Sequence, residues 1–291
     1  MLPAARFEDL HVCPAPTHGG GPVVSPPTAG VFTNSQIQAR ATDPAACAGP
    51  VDFIVTGAAT VKVGGQPAAR MSDKTMHGGM IVLGSGNVMI GGPTTGVTLG
   101  NVAAGKKACQ VAAAGRASGW TKQSYGNCGV ETSRQIINQA TGKSLTEEQL
   151  LRTAIASGRA GDGRSWDEDP EPAHVGGTFP YQREDLLNDN GVPAEQVPGT
   201  MGNLAQGVAD RKGVEADVWA GSIWPLSYGY KPGTGAHCVL VTGVEYDANG
   251  NMKNVVINDT GAGDCGIAYP ADVFKKALMG DDHVVTKGRV W

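Results

Sequence analysis

Cys128 is the residue around which chemistry could be built. The stretch Gln123-Ser-Tyr-Gly-Asn-Cys128-Gly-Val-Glu-Thr-Ser-Arg-Gln-Ile-Ile-Asn138 breaks at Gly126-Asn127, and Cys128 then opens a segment with helical spacing. Val130, Ile136 and Ile137 give that segment an apolar stripe, and Ser133, Arg134 and Asn138 are expected to face water. A cysteine in the first turn of a helix lies beside unsatisfied N–H groups at the positive end of the macrodipole. That setting favours the thiolate, whose pKa falls from ~8.5 to roughly 3.5–7.5 when a histidine also stands nearby. Gln123 lies just upstream, where its amide could hold a developing oxyanion.

A cysteine needs a base before it counts as a nucleophile. Gly235-Ala-His237-Cys-Val-Leu-Val-Thr-Gly-Val-Glu-Tyr246 reads as a strand with His237 near its start. Asp247-Ala-Asn-Gly250 is a turn, and Asn254-Val-Val-Ile-Asn258-Asp259 returns as the second strand. Antiparallel pairing places His237 beside Asn258 and Asp259. Either polar residue could bond the imidazole and fix its tautomer. His174 is a rival base. Cys238 alternates out of phase with His237 and is expected to point into the core. Trp224, Tyr228 and Tyr230 precede His237 and suit core packing or substrate contact.

Several elements must position these groups. Thr146-Glu-Glu-Gln149 is a capping box before the helical Leu150–Ser157. Glu184–Asn190 is a second helix with Gly191 as its stop, Leu204–Asp210 a third, and Val214–Trp219 a strand. Ser165–Pro172 is an acidic, proline-bearing loop.

The first ~95 residues repeat a pattern, as short stacked β units do. Arg6-x-x-Asp9, Arg40-x-x-Asp43 and Arg70-x-x-Asp73 are each followed by a glycine-bearing corner and a short β-rich run. The corners carry His18, Cys47 and His77. A small three-sided β structure with little core would gain from a metal where its turns converge. His11, His18, Cys47 and His77 would make a tetrahedral Zn²⁺ site, with Cys13 competing for the fourth place held by His11.

Composition excludes some classes. A net charge of −4 gives no reason to expect nucleic acid or a membrane surface as partner. No basic and apolar leader opens the sequence, and no ~20-residue apolar run exists for a membrane span. Six cysteines in 291 residues read as reduced cytosolic thiols, and Cys109 as a bystander. Length and composition divide the chain into residues 1–95, a small flexible linker at 96–115, and residues 116–291.

Two resemblances attach to these motifs. Gln123, Cys128-Gly129, Ala236-His237 and Val255–Asp259 resemble the papain-like cysteine peptidases, in the compact bacterial form related to bacteriocin-leader peptidases. Gln123 stands one residue closer to the cysteine than in that family. The resemblance implies an α+β fold with a helix-borne cysteine and an antiparallel sheet. It implies Cys128 as nucleophile, His237 as base, Asp259 or Asn258 as orienting residue, and Gln123 at the oxyanion. Pro3-Ala-Ala-Arg6, Pro67-Ala-Ala-Arg70 and His77-Gly-Gly resemble the PAAR-repeat proteins, while the second repeat has only Gln38-Ala-Arg40. That resemblance implies a zinc-tipped β cone seated on the trimeric spike of the type VI secretion machine, often carrying a toxic C-terminal extension. Together they imply an effector made in the cytoplasm, secreted by that machine, and acting on a protein in the cytosol of a rival cell. A cognate immunity protein is expected in the producer. A glutamine deamidase with the same triad, a periplasmic cell-wall amidase and a non-catalytic spike tip are the alternatives.

Overall fold

The computed structural model describes residues 1–24, 30–114, 123–162, 176–225 and 228–291. His174 and the acidic loop Ser165–Pro172 lie outside the described residues. The chain forms two compact units, one of residues 1–99 with 245–253 and the other of residues 100–244 with 254–291. No described helix is long and apolar enough to cross a membrane.

The first unit is built from the three Arg-x-x-Asp turns. In each, the aspartate N–H donates to the arginine carbonyl, at 3.1, 3.2 and 3.1 Å for Asp9, Asp43 and Asp73. The residue before each aspartate has a left-handed backbone: φ is 69° at Glu8, 78° at Thr42 and 73° at Ser72. A type II turn demands that conformation at its third position, and glycine is its usual occupant. Here the strain is offset by the aspartate, which accepts from the arginine N–H at 2.7, 3.1 and 2.8 Å and also pairs with the guanidinium.

The alanine before each arginine closes a ring. Ala5 N–H donates to Ala69, Ala69 to Ala39 and Ala39 to Ala5, at 3.0, 2.9 and 2.9 Å. Gln38 sits against this ring and donates from Nε2 to all three alanine carbonyls, at 2.8, 2.9 and 3.1 Å. Its own Oε1 accepts from Thr33 at 2.7 Å. Gln38 therefore closes the polar centre of the unit at the repeat that departs from the signature. Val23, Ile54 and Ile81 pack with Ala5, Ala39, Ala41 and Ala69 into a thin core.

The second unit places helices on a sheet. Six strands run in the order Ala194–Val197, His283–Thr286, Val214–Trp219, Ala236–Tyr246, Met252–Asp259 and Asp264–Pro270. Helix Cys128–Thr141 packs against helices Glu147–Ala156 and Pro180–Asp189. Val130, Ile136, Ile137, Leu150, Leu186, Leu187 and Leu240 belong to one buried cluster. The Thr146–Gln149 capping box is formed in both directions, and Gly142 ends the first helix with φ 70°.

Three features differ from the sequence reading. Residues 96–115 were expected to be a linker, yet Val102–Ala114 is a helix packed on helix Cys128–Thr141 and on strand Asp264–Pro270. Gly105 lets it approach, since a Cβ there would lie 2.4 Å from Thr242 Cγ2. Cys109 is no bystander: it forms a disulfide with Cys265, which ties that helix to the strand. Ser133, Arg134 and Asn138 do not face water, and all three are buried. Ser133 donates to Glu215 at 2.7 Å, Arg134 pairs with Glu131 at 2.8 Å, and Asn138 donates to the Leu145 carbonyl at 3.0 Å. Their polar groups find partners inside, so polarity did not mark the outer face.

Candidate active site and metal centre

Cys128 is the first residue of helix Cys128–Thr141. The loop before it is fixed from below by the buried carboxylate of Glu147. That carboxylate accepts from Ser124 N–H at 2.8 Å, Ser124 Oγ at 3.0 Å and Asn127 Nδ2 at 3.1 Å. Glu147 was visible in the sequence only as part of the capping box. Its reach back to residues 124–127 is a tertiary contact that no local pattern signals.

His237 and Asp259 meet as their strands predict. His237 Nε2 lies 2.7 Å from Asp259 Oδ1. The other oxygen, Oδ2, accepts from Trp224 Nε1 at 2.6 Å, and Oδ1 also accepts from Gly261 and Ala262 N–H at 2.9 and 3.0 Å. Four donors hold this carboxylate ionised and in place. The Trp224 ring also covers the imidazole, with centroids 4.8 Å apart. Gly261 permits this arrangement, because a Cβ there would lie 2.5 Å from Trp224 and 2.8 Å from His237 Cε1. Trp224 thus acts on the dyad itself, a role its polar N–H could have suggested.

The imidazole, with Nε2 committed to Asp259, also acts on Cys128. Burial alone would raise the Cys128 pKa, but the hydrogen bond and charge of His237 outweigh it and the pKa is lowered. The Cys238 N–H adds to this, donating to Cys128 Sγ at 3.4 Å. For His237, burial opposes the proton, and the Asp259 carboxylate overrides it, so its pKa is raised to about 10. Asp259 itself is pulled down by His237 against burial. The arrangement can support a thiolate–imidazolium pair at neutral pH.

The other candidates separate. Asn258 points away from His237: its Nδ2 donates to the Gly105 carbonyl at 2.6 Å and to Gln135 Oε1 at 2.9 Å, and its Oδ1 accepts from Gly266 N–H at 3.0 Å. Alternation along a strand sends neighbouring side chains to opposite faces, so only one of the pair could reach the imidazole. Gln123 is anchored to the residue after Asp259, with Oε1 accepting from Thr260 Oγ1 at 2.7 Å and backbone N–H donating to the Thr260 carbonyl at 2.8 Å. Its Nε2 donates to the Tyr125 carbonyl at 2.9 Å. Cys238 is buried, as its phase required.

A separate cluster lies in the first unit. Cys13, His18, Cys47 and His77 bring one ligand atom each to within 4.8 Å of one another. The His18 and His77 rings meet edge to face with centroids 4.9 Å apart, and Cys13 Sγ lies 3.7 Å from His18 Nδ1. Two thiols and two imidazoles at this spacing fit a tetrahedral Zn²⁺, whose bonds run ~2.3 Å to sulfur and ~2.0–2.1 Å to nitrogen. His11, expected as the fourth ligand, is not in the cluster, and Cys13 takes that place. His11 starts a short strand paired with Met80–Ile81, which turns its ring to the Gly21 carbonyl at 2.9 Å and to Asp52 at 3.4 Å. Burial works against its protonation, but the Asp52 carboxylate raises its pKa overall.

Residues 15–83 match the PAAR motif. Among solved structures the chain is similar to one described as a C39-like peptidase from Bacillus anthracis, with 17% identity and a TM-score of 0.40 over 56% of this chain and 89% of that one. No curated protein matches the chain. The PAAR motif implies a cone-like β unit that binds zinc and associates with the spike of the type VI secretion machine. The chain carries this motif in one unit and Cys128, His237 and Asp259 in the other.

Proposed function

We propose that this chain is a type VI effector whose PAAR unit, held by Zn²⁺ on Cys13, His18, Cys47 and His77, delivers a cysteine protease to rival bacteria. Cys128 is the nucleophile, His237 its base and Asp259 the orienting residue. The observation that carries this reading is the 2.7 Å contact of His237 Nε2 with Asp259 Oδ1, made while the same imidazole interacts with a cysteine at a helix N-terminus.

The thiolate of Cys128 attacks a substrate carbonyl. The oxyanion is met by the backbone N–H of Cys128 and by the second N–H of Gln123 Nε2, the first being given to the Tyr125 carbonyl. The His237 imidazolium then gives its proton to the leaving amine, and a thioester remains on Cys128. Water attacks the thioester, His237 takes the proton, and the acid leaves with the thiolate regenerated. Asp259 keeps the imidazole oriented throughout, and Trp224 and the two backbone N–H groups keep Asp259 oriented. The same steps on a glutamine side chain would release ammonia, so protein cleavage and deamidation share one site.

The test compares the proteins of target cells given the full chain or its Cys128→Ala form, by mass spectrometry. New protein termini that depend on Cys128 are expected. Glutamine-to-glutamate shifts without new termini would replace protease by deamidase, and identical proteomes would remove the enzymatic reading.

A second reading is favoured by one observation, the Cys109–Cys265 disulfide. Disulfides persist in oxidising spaces and are rare in the cytosol. A cell-wall amidase acting in the periplasm would work where that bond is kept. Expression of the full chain in the cytosol or, with an added signal, in the periplasm separates the two. Cys128-dependent arrest from the cytosol supports the protease, and lysis confined to the periplasm supports the amidase.

A further inference from the structure

The first unit holds a second group of buried polar side chains against the metal cluster, centred on a residue outside the ligand set. Asp52 is fully buried. Its Oδ1 is committed to backbone, accepting from Phe53 N–H at 2.8 Å and His77 N–H at 3.0 Å. Its Oδ2 faces two imidazoles, His11 Nε2 at 3.4 Å and His77 Nδ1 at 3.7 Å. The Asp52 and His11 side chains are both 0% exposed. A buried carboxylate is costly unless it is matched.

We infer that Asp52 is the outer support of the metal site and positions His77 for the ion. Two observations lead there. His77 turns Nδ1 toward Asp52, which leaves Nε2 for the metal. His11 places Nδ1 2.9 Å from the Gly21 carbonyl and Nε2 3.4 Å from Asp52 Oδ2, so the buried carboxylate oxygen lies between two imidazoles. A carboxylate behind a metal-binding histidine fixes its tautomer and raises its basicity, and losing such a partner costs roughly 10–100-fold in metal affinity. His11 stands in this unit for the pair to Asp52 and not as a ligand.

The test uses the full chain and Zn²⁺ itself, with affinity read by competition against a chromogenic chelator. Asp52→Asn keeps an oxygen for the Phe53 and His77 N–H groups but puts an amide where His77 Nδ1–H needs an acceptor. Zn²⁺ binding by Asp52→Asn is expected to weaken roughly 10–100-fold. Co²⁺ loaded in its place should show altered tetrahedral absorption bands, a signature that a purely structural role would not move. His11→Gln, which can still donate to Asp52, should lose less. Should Asp52→Asn fail to fold, the His11→Gln and Co²⁺ measurements decide alone. Affinity within twofold of wild type in the folded variants, with unchanged bands, overturns the positioning role and leaves the four ligands standing. A wild-type chain that binds no Zn²⁺ overturns both.

Discussion

The two units solve the problem of staying folded in different ways. The first is cored by two small alanine-rich clusters, Ala5, Val23, Ala39, Ala41, Ile54, Ala69 and Ile81 in one and Ala4, Ala58, Val63, Ala68 and Ile90 in the other, so apolar burial supplies little. Its order comes from polar closure: three aspartate-held turns, a ring of three alanine hydrogen bonds, and Gln38 donating to each carbonyl of that ring. An acceptor left unpaired there would cost about 1–3 kcal/mol, comparable to burying a side chain. The second unit packs helices on a sheet around Val130, Ile136, Ile137, Leu150, Leu186, Leu187 and Leu240. That core leaves rigid element ends at which Cys128, His237 and Asp259 can be set. A rigid apolar scaffold suits a site that must hold a reacting geometry, whereas a polar, metal-ready corner suits a small tip.

The largest effect that would sharpen this contrast is the separation of activity from zinc. Cys128→Ala and His237→Ala should each lower activity by at least about a thousandfold, and the double variant should be no worse. Zinc content should be unchanged in all three. Activity surviving His237→Ala would remove the assigned base and bring His174 forward.

Next in size is the division between neighbours on one strand. Asp259→Ala should lower activity by about 10²–10⁴-fold, because His237 loses its orienting partner. Asn258→Ala should act on stability, by about 1–3 kcal/mol, because it removes the hydrogen bonds to the Gly105 carbonyl, Gln135 Oε1 and the Gly266 N–H. Its activity per folded molecule should stay within a few-fold. Reversed outcomes would make Asn258 the orienting residue.

A smaller effect is expected from the disulfide. Replacing Cys109 and Cys265 together by serine should lower the stability of the second unit by ~2–4 kcal/mol. All five tryptophans lie in the second unit's sequence, so their fluorescence reports its unfolding alone. An unfolding midpoint that does not move with substitution or reducing agent would mean that the bond does not staple this unit.

What the sequence made legible was what local pattern encodes. The Arg-x-x-Asp repeat, the capping box at Thr146, and the placing of His237 opposite Asp259 each depend on spacing within one or two elements. The choice of Cys13 over His11 was not legible, because both precede the same corner and only the pairing of residues 11–12 with residues 80–81 turns His11 inward. Helix Val102–Ala114 was hidden by composition: alanine, glycine and lysine read as a linker, and its helicity rests on tertiary packing. Trp224 and Glu147 support the candidate site across long sequence separations that no motif spans.

The last and smallest effect concerns pH. His237 lowers the Cys128 pKa, and Asp259 raises that of His237 to about 10. The thiolate–imidazolium pair should therefore persist from below the usual thiol range up to about pH 10. Alkylation of Cys128 by iodoacetamide in the full chain, followed by site-resolved mass spectrometry, reads the thiolate fraction. His237→Ala removes the group that lowers the thiol pKa and leaves the burial that raises it. Its alkylation at neutral pH should fall by about tenfold for each unit that the pKa rises. The sign for stability follows from the same groups. His237 has a raised folded pKa, so its contribution is complete below its unfolded value of ~6.5 and is lost as pH rises through about 10. Asp259 has a lowered one, so its contribution is present above ~3.9 and is lost as pH falls further. Fluorescence-detected unfolding should thus show the second unit losing stability at both ends, and His237→Ala should lack the part carried by His237 while keeping the alkaline loss from Cys238 and Tyr269, whose pKa values burial raises. Superimposable alkylation profiles for wild type and His237→Ala would show that the imidazole does not hold the thiolate, and the triad would lose its first step.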